Sequence, residues 1–195
     1  MAITIELFED TGVESAGRGS ASAAVNNIGW KADASDESVL YSDHPIIRPI
    51  DPEQASFSYH KYNFIKISGT YGNATRLSAK FTGDFNVPVV GFEDTSTSKV
   101  RLYYKVTSTY ETPTNLILDG TLYDVTTSPW IGLNLSTLGP DTATTRPNLL
   151  ATDTTYYSAY IVTQLYVEPG SNIEFGNTGG VNLEITLDEF ETSNL

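Results

Sequence analysis

The chain of 195 residues contains no cysteine. That excludes a disulfide framework, a thiol nucleophile and thiolate metal ligands. It has two histidines, His44 and His60, too few for a multi-histidine metal site within one chain. Basic residues are scarce: 11 Lys and Arg stand against 24 Asp and Glu, a formal net charge of −13. So acidic a chain repels phosphate overall, which argues against general binding to nucleic acid or an anionic membrane. No apolar run approaches the ~18 residues of a membrane span. The opening MAITIELFED lacks a basic n-region, so no signal peptide is expected there.

What remains favours strands. Hydrophobic residues make up 39%, enough for a sizeable core. Thr, Val and 12 Tyr suit strands, while 15 Gly with Asn and Ser suit turns. Alternation then places about eight or nine strands. Ile3, Ile5 and Leu7 alternate with Thr4 and Glu6. Tyr62 to Ser68 reads as a buried strand, and Arg76 to Phe81 follows across Gly72-Asn73, a pair that predicts a hairpin. Val87 to Phe92 is a further apolar run. Lys99 to Thr107 alternates, with Val100, Leu102, Tyr104 and Val106 inside and Arg101, Tyr103 and Lys105 outside. Asp119-Gly120 predicts a second hairpin between Leu116–Leu118 and Leu122–Val125. Tyr157 to Val167 carries bulk on both faces and is expected to be covered on both sides. Val181 to Asp188 alternates cleanly.

These alternating faces predict an all-β fold, an antiparallel β-sandwich of jelly-roll or Ig-like type with a loop-rich N-terminal arm. Residues 1–55 are read as the N-terminal strand and arm, and 56–195 as the sandwich domain. The stretch from Thr11 to Gln54 is weakly patterned and holds Pro45 and Pro49. As a connection it far exceeds the usual ~4–6 residues, so it either hides a short strand or docks on something else.

Charge is unevenly spread. Residues 1–60 hold 3 basic and 10 acidic side chains, net −7. Residues 61–105 hold 7 basic and 3 acidic, net +4, and residues 106–195 hold 1 and 11, net −10. Lys61, Lys66, Arg101 and Lys105 in the basic segment are candidate contacts to partner subunits. The plainer reading has the basic strands neutralised by acidic neighbours within the chain.

Catalytic patterns are missing. Gly17-Arg18-Gly19-Ser20-Ala21 does not match a nucleophile elbow. His44 has Ser42 and Asp43 beside it and His60 has Ser58, but adjacency in sequence says little about triad geometry, and no carboxylate spacing singles out a hydrolase pair. Asp33 to Ser38 is a compact acidic cluster without EF-hand spacing. The expectation is a protein that is not an enzyme and carries no cofactor or metal. Trp30 and Trp130, flanked by Gly29 and Gly132, are candidate glycan contacts if the sandwich is a carbohydrate- or receptor-binding module. Large indoles are more often core.

The segment Ser56-Phe57-Ser58-Tyr59-His60-Lys61-Tyr62-Asn63-Phe64-Ile65-Lys66-Ile67-Ser68-Gly69-Thr70-Tyr71 resembles a stretch of structural proteins of tailed bacteriophages. There a Ser-Tyr-x-Lys-Tyr start leads into a basic-apolar strand ending in Ser/Thr-Gly-Thr. Leu102-Tyr103-Tyr104-Lys105 and the run Thr107 to Thr114 resemble that group's second landmark, a strand followed by a stretch bearing threonine, tyrosine and proline. The resemblance implies a virion structural protein assembled in the bacterial host cytoplasm. It would be an accessory head, neck or tail component: decoration or cement, connector or baseplate part. Its partners would be other virion proteins and copies of itself, with no nucleic acid and no membrane. No site residue carries over.

Overall fold

A buried strand with two apolar faces needs a layer on each side, and the segment 160–167 has such faces. In the computed structural model, Ala159 to Gln164 are all buried, and β11 (Tyr160–Val167) is an inner strand of the larger of two sheets. The structure describes residues 3–26, 28–30, 56–69, 74–83, 100–120, 122–124, 130–133, 135–136, 155–167 and 181–189. Every strand pairing among them is antiparallel, and none of them is helical.

The strands in chain order are β1 (Ile3–Thr11), β2 (Ala21–Ala24), β3 (Ser56–Phe57), β4 (Lys61–Gly69), β5 (Ala74–Gly83), β6 (Val100–Thr107), β7 (Tyr123–Asp124), β8 (Trp130–Leu133), β9 (Leu135–Ser136), β10 (Tyr156–Ser158), β11 and β12 (Val181–Glu189). Nine form one sheet with the order β2-β1-β4-β11-β6-β7, while β3, β9 and β10 pair beside that path. The second sheet has the order β12-β5-β8. Ile65, Ile67, Leu102, Tyr104 and Ile161 of the large sheet meet Ala79, Phe81 and Ile131 of the small one. The fold is therefore the expected antiparallel β-sandwich.

A second cluster lies on the outer face of the large sheet. Tyr62, Phe64, Tyr160 and Val162 are covered there by Tyr110 and Leu118. Strand alternation sends even-numbered residues of β4 and β11 to this outer face and odd-numbered ones to the inter-sheet core. Two serines repair the ladder where the strands break. The Ile65 amide donates to Ser158 Oγ at the β10–β11 kink, and the Leu165 amide donates to Ser58 Oγ between β3 and β4.

Three expectations are corrected. β4 and β5 do not form a hairpin about Gly72-Asn73, because they lie in different sheets. Each run has an apolar face for the core, and facing sheets satisfy both. Leu116–Leu118 is not a strand, and β7 pairs with β6 instead. Val106 is 37% exposed rather than inside. The stretch from Thr11 does hold a short strand, the first of its two readings, and its start belongs to the sheet. β1 pairs with β4 across eight positions, β2 pairs with β1, and residues 12–20 return between them. Gly19 permits that return, since a Cβ there would collide with the Thr11 backbone. Arg18 lies 5.8 Å and 5.5 Å from the ring centres of Phe64 and Tyr157, closing the turn onto the sheet. Residues 31–55 of the expected arm and the run Val87 to Phe92 lie outside the described residues.

Ile161 is 1% exposed between β4 and β6. Ile161→Ala is expected to lower stability by about 2–5 kcal/mol in urea unfolding, the usual cost of a core cavity. A loss below about 1 kcal/mol would mean the two sheets do not close over this position.

Candidate interaction surface

The segment after β6 runs as a strap across the outer face, from Ser108 to Gly120. It has no strand partner, so its backbone polar groups need other ones. Side chains of the sheet supply them. Gln164, 0% exposed, donates through Nε2 to the carbonyls of Ser58 and Leu116 at 2.9 and 2.8 Å. Its Oε1 accepts from the Leu118 amide at 3.1 Å. Both amide hydrogens and the carbonyl oxygen are thus used. His60 adds two contacts: its amide donates to the Thr114 carbonyl at 3.0 Å, and its Nε2 to the Leu116 carbonyl at 2.8 Å. A carbonyl can only accept, which fixes the ring with its proton on Nε2. Tyr110, fully buried, donates its hydroxyl to the Gly12 carbonyl at 2.7 Å. Its ring centre lies 4.8 Å from that of Tyr62 and 6.0 Å from that of Tyr160.

Held at Leu116 and Leu118, the strap exposes what stands between and before. Leu116 is 70% and Ile117 60% exposed, while Leu118 is buried. Beside this aliphatic pair, Lys105 Nζ reaches Asp119 at 2.8 Å. That ammonium, by its hydrogen bond and charge, holds the exposed Asp119 carboxyl below the usual carboxylate range. Burial pushes the His60 imidazole below its ordinary value, and the charge of Lys105 adds to this.

The four candidate basic contacts separate. Lys66, Arg101 and Lys105 share the outer face, on β4 and β6 with β11 between. Lys61 lies on the inner face, 7% exposed, and pairs with buried Glu9 at 3.0 Å. Its place as a partner contact is corrected, since a buried paired ammonium is not offered to another molecule. Lys66 reaches Glu6 at 3.5 Å and lies 5.2 Å from the Phe8 ring centre. Neutralisation within the chain therefore accounts for Lys61, Lys66 and Lys105. Arg101 stands exposed on β6, opposite Tyr166.

Trp30 is half-buried against the inter-sheet core, and its indole N–H donates to Thr163 Oγ1 at 3.1 Å. It packs as a core residue rather than standing as an open sugar platform. The backbone of Trp130 lies in β8 opposite Lys80, and its side chain is outside the described residues. His44 is outside them as well.

Sequence reading missed Glu9, Asp10 and Gln164, all buried. Asp10 Oδ2 accepts from the Tyr160 hydroxyl at 2.5 Å, and burial first, then this bond, pushes that hydroxyl's pKa up. Glu9 and Asp10 are neighbours on one strand and point to opposite faces, so they do not converge as a hydrolytic pair. Among the described residues, no three His, Asp or Glu side chains gather as a metal site. Set against known protein families, curated proteins and solved structures, the chain matches none.

Gln164→Leu takes this partner from the Ser58 carbonyl and the Leu118 amide of a buried surface, and leaves the Leu116 carbonyl to His60 alone. It is expected to destabilise by about 2–4 kcal/mol in urea unfolding. An effect within about 0.5 kcal/mol would show that the strap does not depend on it. The folded His60 takes up its proton at lower pH than the unfolded one, so its neutral form contributes stability above the ordinary value near 6.5. That contribution is lost as pH falls through 6.5 toward the lowered folded value. Wild type should therefore lose stability relative to His60→Gln on acidification from about pH 7 to 5, and parallel stability profiles would refute this assignment.

Proposed function

We propose that this chain is a non-enzymatic structural protein of a tailed-phage virion, an accessory head, neck or tail component that assembles through contacts between subunits in the host cytoplasm. The observation that carries the reading is the aliphatic pair Leu116–Ile117, held out to solvent on a strap whose backbone is fixed from beneath by Gln164 and His60. Such a pair gives an isolated chain no burial energy, yet it is ordered in advance. A contact of that kind loses little entropy when a partner covers it. The two phage-like strings also join in space. The first forms β3 and β4 and the second forms β6 and the strap, and Tyr62 of one packs on Tyr110 of the other. The acidic exterior would keep unassembled subunits apart.

The test pairs particle labelling with a variant. Antibody to the recombinant chain should label particles from the source culture by immunogold electron microscopy. The double substitution Leu116→Asp and Ile117→Asp should leave thermal unfolding unchanged and reduce incorporation into particles at least about tenfold, as for a contact at the centre of an interface. Unlabelled intact and disrupted particles, together with glycan binding by the free protein, would overturn the reading in favour of a carbohydrate-binding module.

A further inference from the structure

Edges of β-sheets are open templates for pairing, and proteins keep them short, charged with lysine, or interrupted by proline. Most edges here follow that rule. Among the described residues, β2 and β8 have four residues each, and β3, β7 and β9 two each. β12 does not follow it. It has nine residues, Val181 to Glu189, with neither proline nor lysine. Its pairing with β5 is regular from Val181 to Asp188, and a register shift follows only at Asp188/Glu189. Among the described residues β5 is its one partner, and β12 stands at the end of the small sheet.

We infer that this outer edge pairs with β12 of a second copy of the chain, antiparallel about a two-fold axis through Ile185. Three observations select that occupant and that register. Ile185 is the middle residue of the nine, so this axis alone brings the whole strand into register with its copy. An axis perpendicular to the sheet keeps each residue on its own face. Leu183 and Ile185, which pack on the core, then continue one apolar face across both copies. The register also keeps like charges from standing directly opposite: Glu184 stands opposite Thr186 of the second copy, and Asn182 opposite Asp188. The neighbouring same-face registers fail this criterion. An axis through Glu184 opposes that residue to itself, and one through Thr186 opposes Glu184 to Asp188. Like charges directly opposite one another disfavour pairing. On its other side Glu184 stands at the register position opposite Lys80 of β5. The outcome is a six-stranded sheet shared by two sandwiches, an isologous interface of the commonest oligomer symmetry. This inference stands on strand geometry and does not depend on the virion reading.

Thr186 is exposed, so its substitution leaves the core alone. Sedimentation equilibrium at physiological salt should show a reversible dimer, with amide exchange across 181–189 slowing as the dimer forms. Thr186→Glu sets two Glu–Glu pairs across the axis and should weaken the dimer about fivefold, while Thr186→Lys should tighten it about fivefold. Thr109→Glu and Thr109→Lys carry the same charge changes on the exposed strap and should each move it less than about twofold under screening. A monomer at every soluble concentration overturns the inference. So does a dimer that answers the Thr186 and Thr109 pairs alike, or one with unchanged exchange in β12.

Discussion

The side-chain amide of Gln164 is the point on which the outer layer of the molecule depends. It sits on the central strand β11, where the neighbouring positions Ala159 to Thr163 are also buried. An amide left unpaired in that setting would cost more than it contributes, so its presence demands partners. It finds them in Ser58, Leu116 and Leu118. The strap is therefore fastened to the sheet by side chain to backbone bonds instead of a ladder. Once fastened, it covers Tyr62, Tyr160 and Val162 with Tyr110 and Leu118 and turns Leu116 and Ile117 outward. Burial of one aromatic cluster and exposure of one aliphatic pair are two consequences of the same three hydrogen bonds.

Electrostatics follow a similar economy. Three of the seven basic residues of segment 61–105 meet acids of the same chain. Lys61 meets Glu9, Lys66 meets Glu6, and Lys105 meets Asp119. Only the first pair is buried, and removing one of its members would strand a charge in the core. The other two are exposed to different degrees and act mainly to place side chains near β1 and the strap. The chain keeps an acidic excess, which bears on solubility and the spacing of free subunits rather than on the fold.

The fold was legible in the sequence wherever a residue's environment repeats with period two. β6 and β12 fall within one residue of their alternating runs, while the run Tyr157 to Val167 is interrupted at Ala159 and divides into β10 and β11. The covered state of β11 could be read from Ile161 and Val162 as adjacent apolar residues. Turn chemistry was less informative, because Gly72-Asn73 permits a tight hairpin and a passage between sheets equally well. The difference lies in where β1 and β12 go, far away in the chain. The candidate surface was the least legible part. Leu116–Leu118 looks like a strand because it is apolar, and nothing local shows that its hydrogen bonds end on Gln164 and His60. Glu9 and Asp10 likewise look like solvent-facing acids until Lys61 and Tyr160 are seen against them. The role of His60 in holding Leu116 is likewise a tertiary fact.

The central claim is that the strap belongs to the folded core although it lacks a strand partner. Native-state hydrogen exchange at the Leu118 amide, which donates to Gln164 Oε1, tests it most directly. The account predicts that this amide exchanges with the free energy of global unfolding, as the inner amides of β11 do. Exchange orders of magnitude faster, through local opening while β11 stays protected, would contradict it and leave Leu116 and Ile117 on a loose loop instead of a fixed contact.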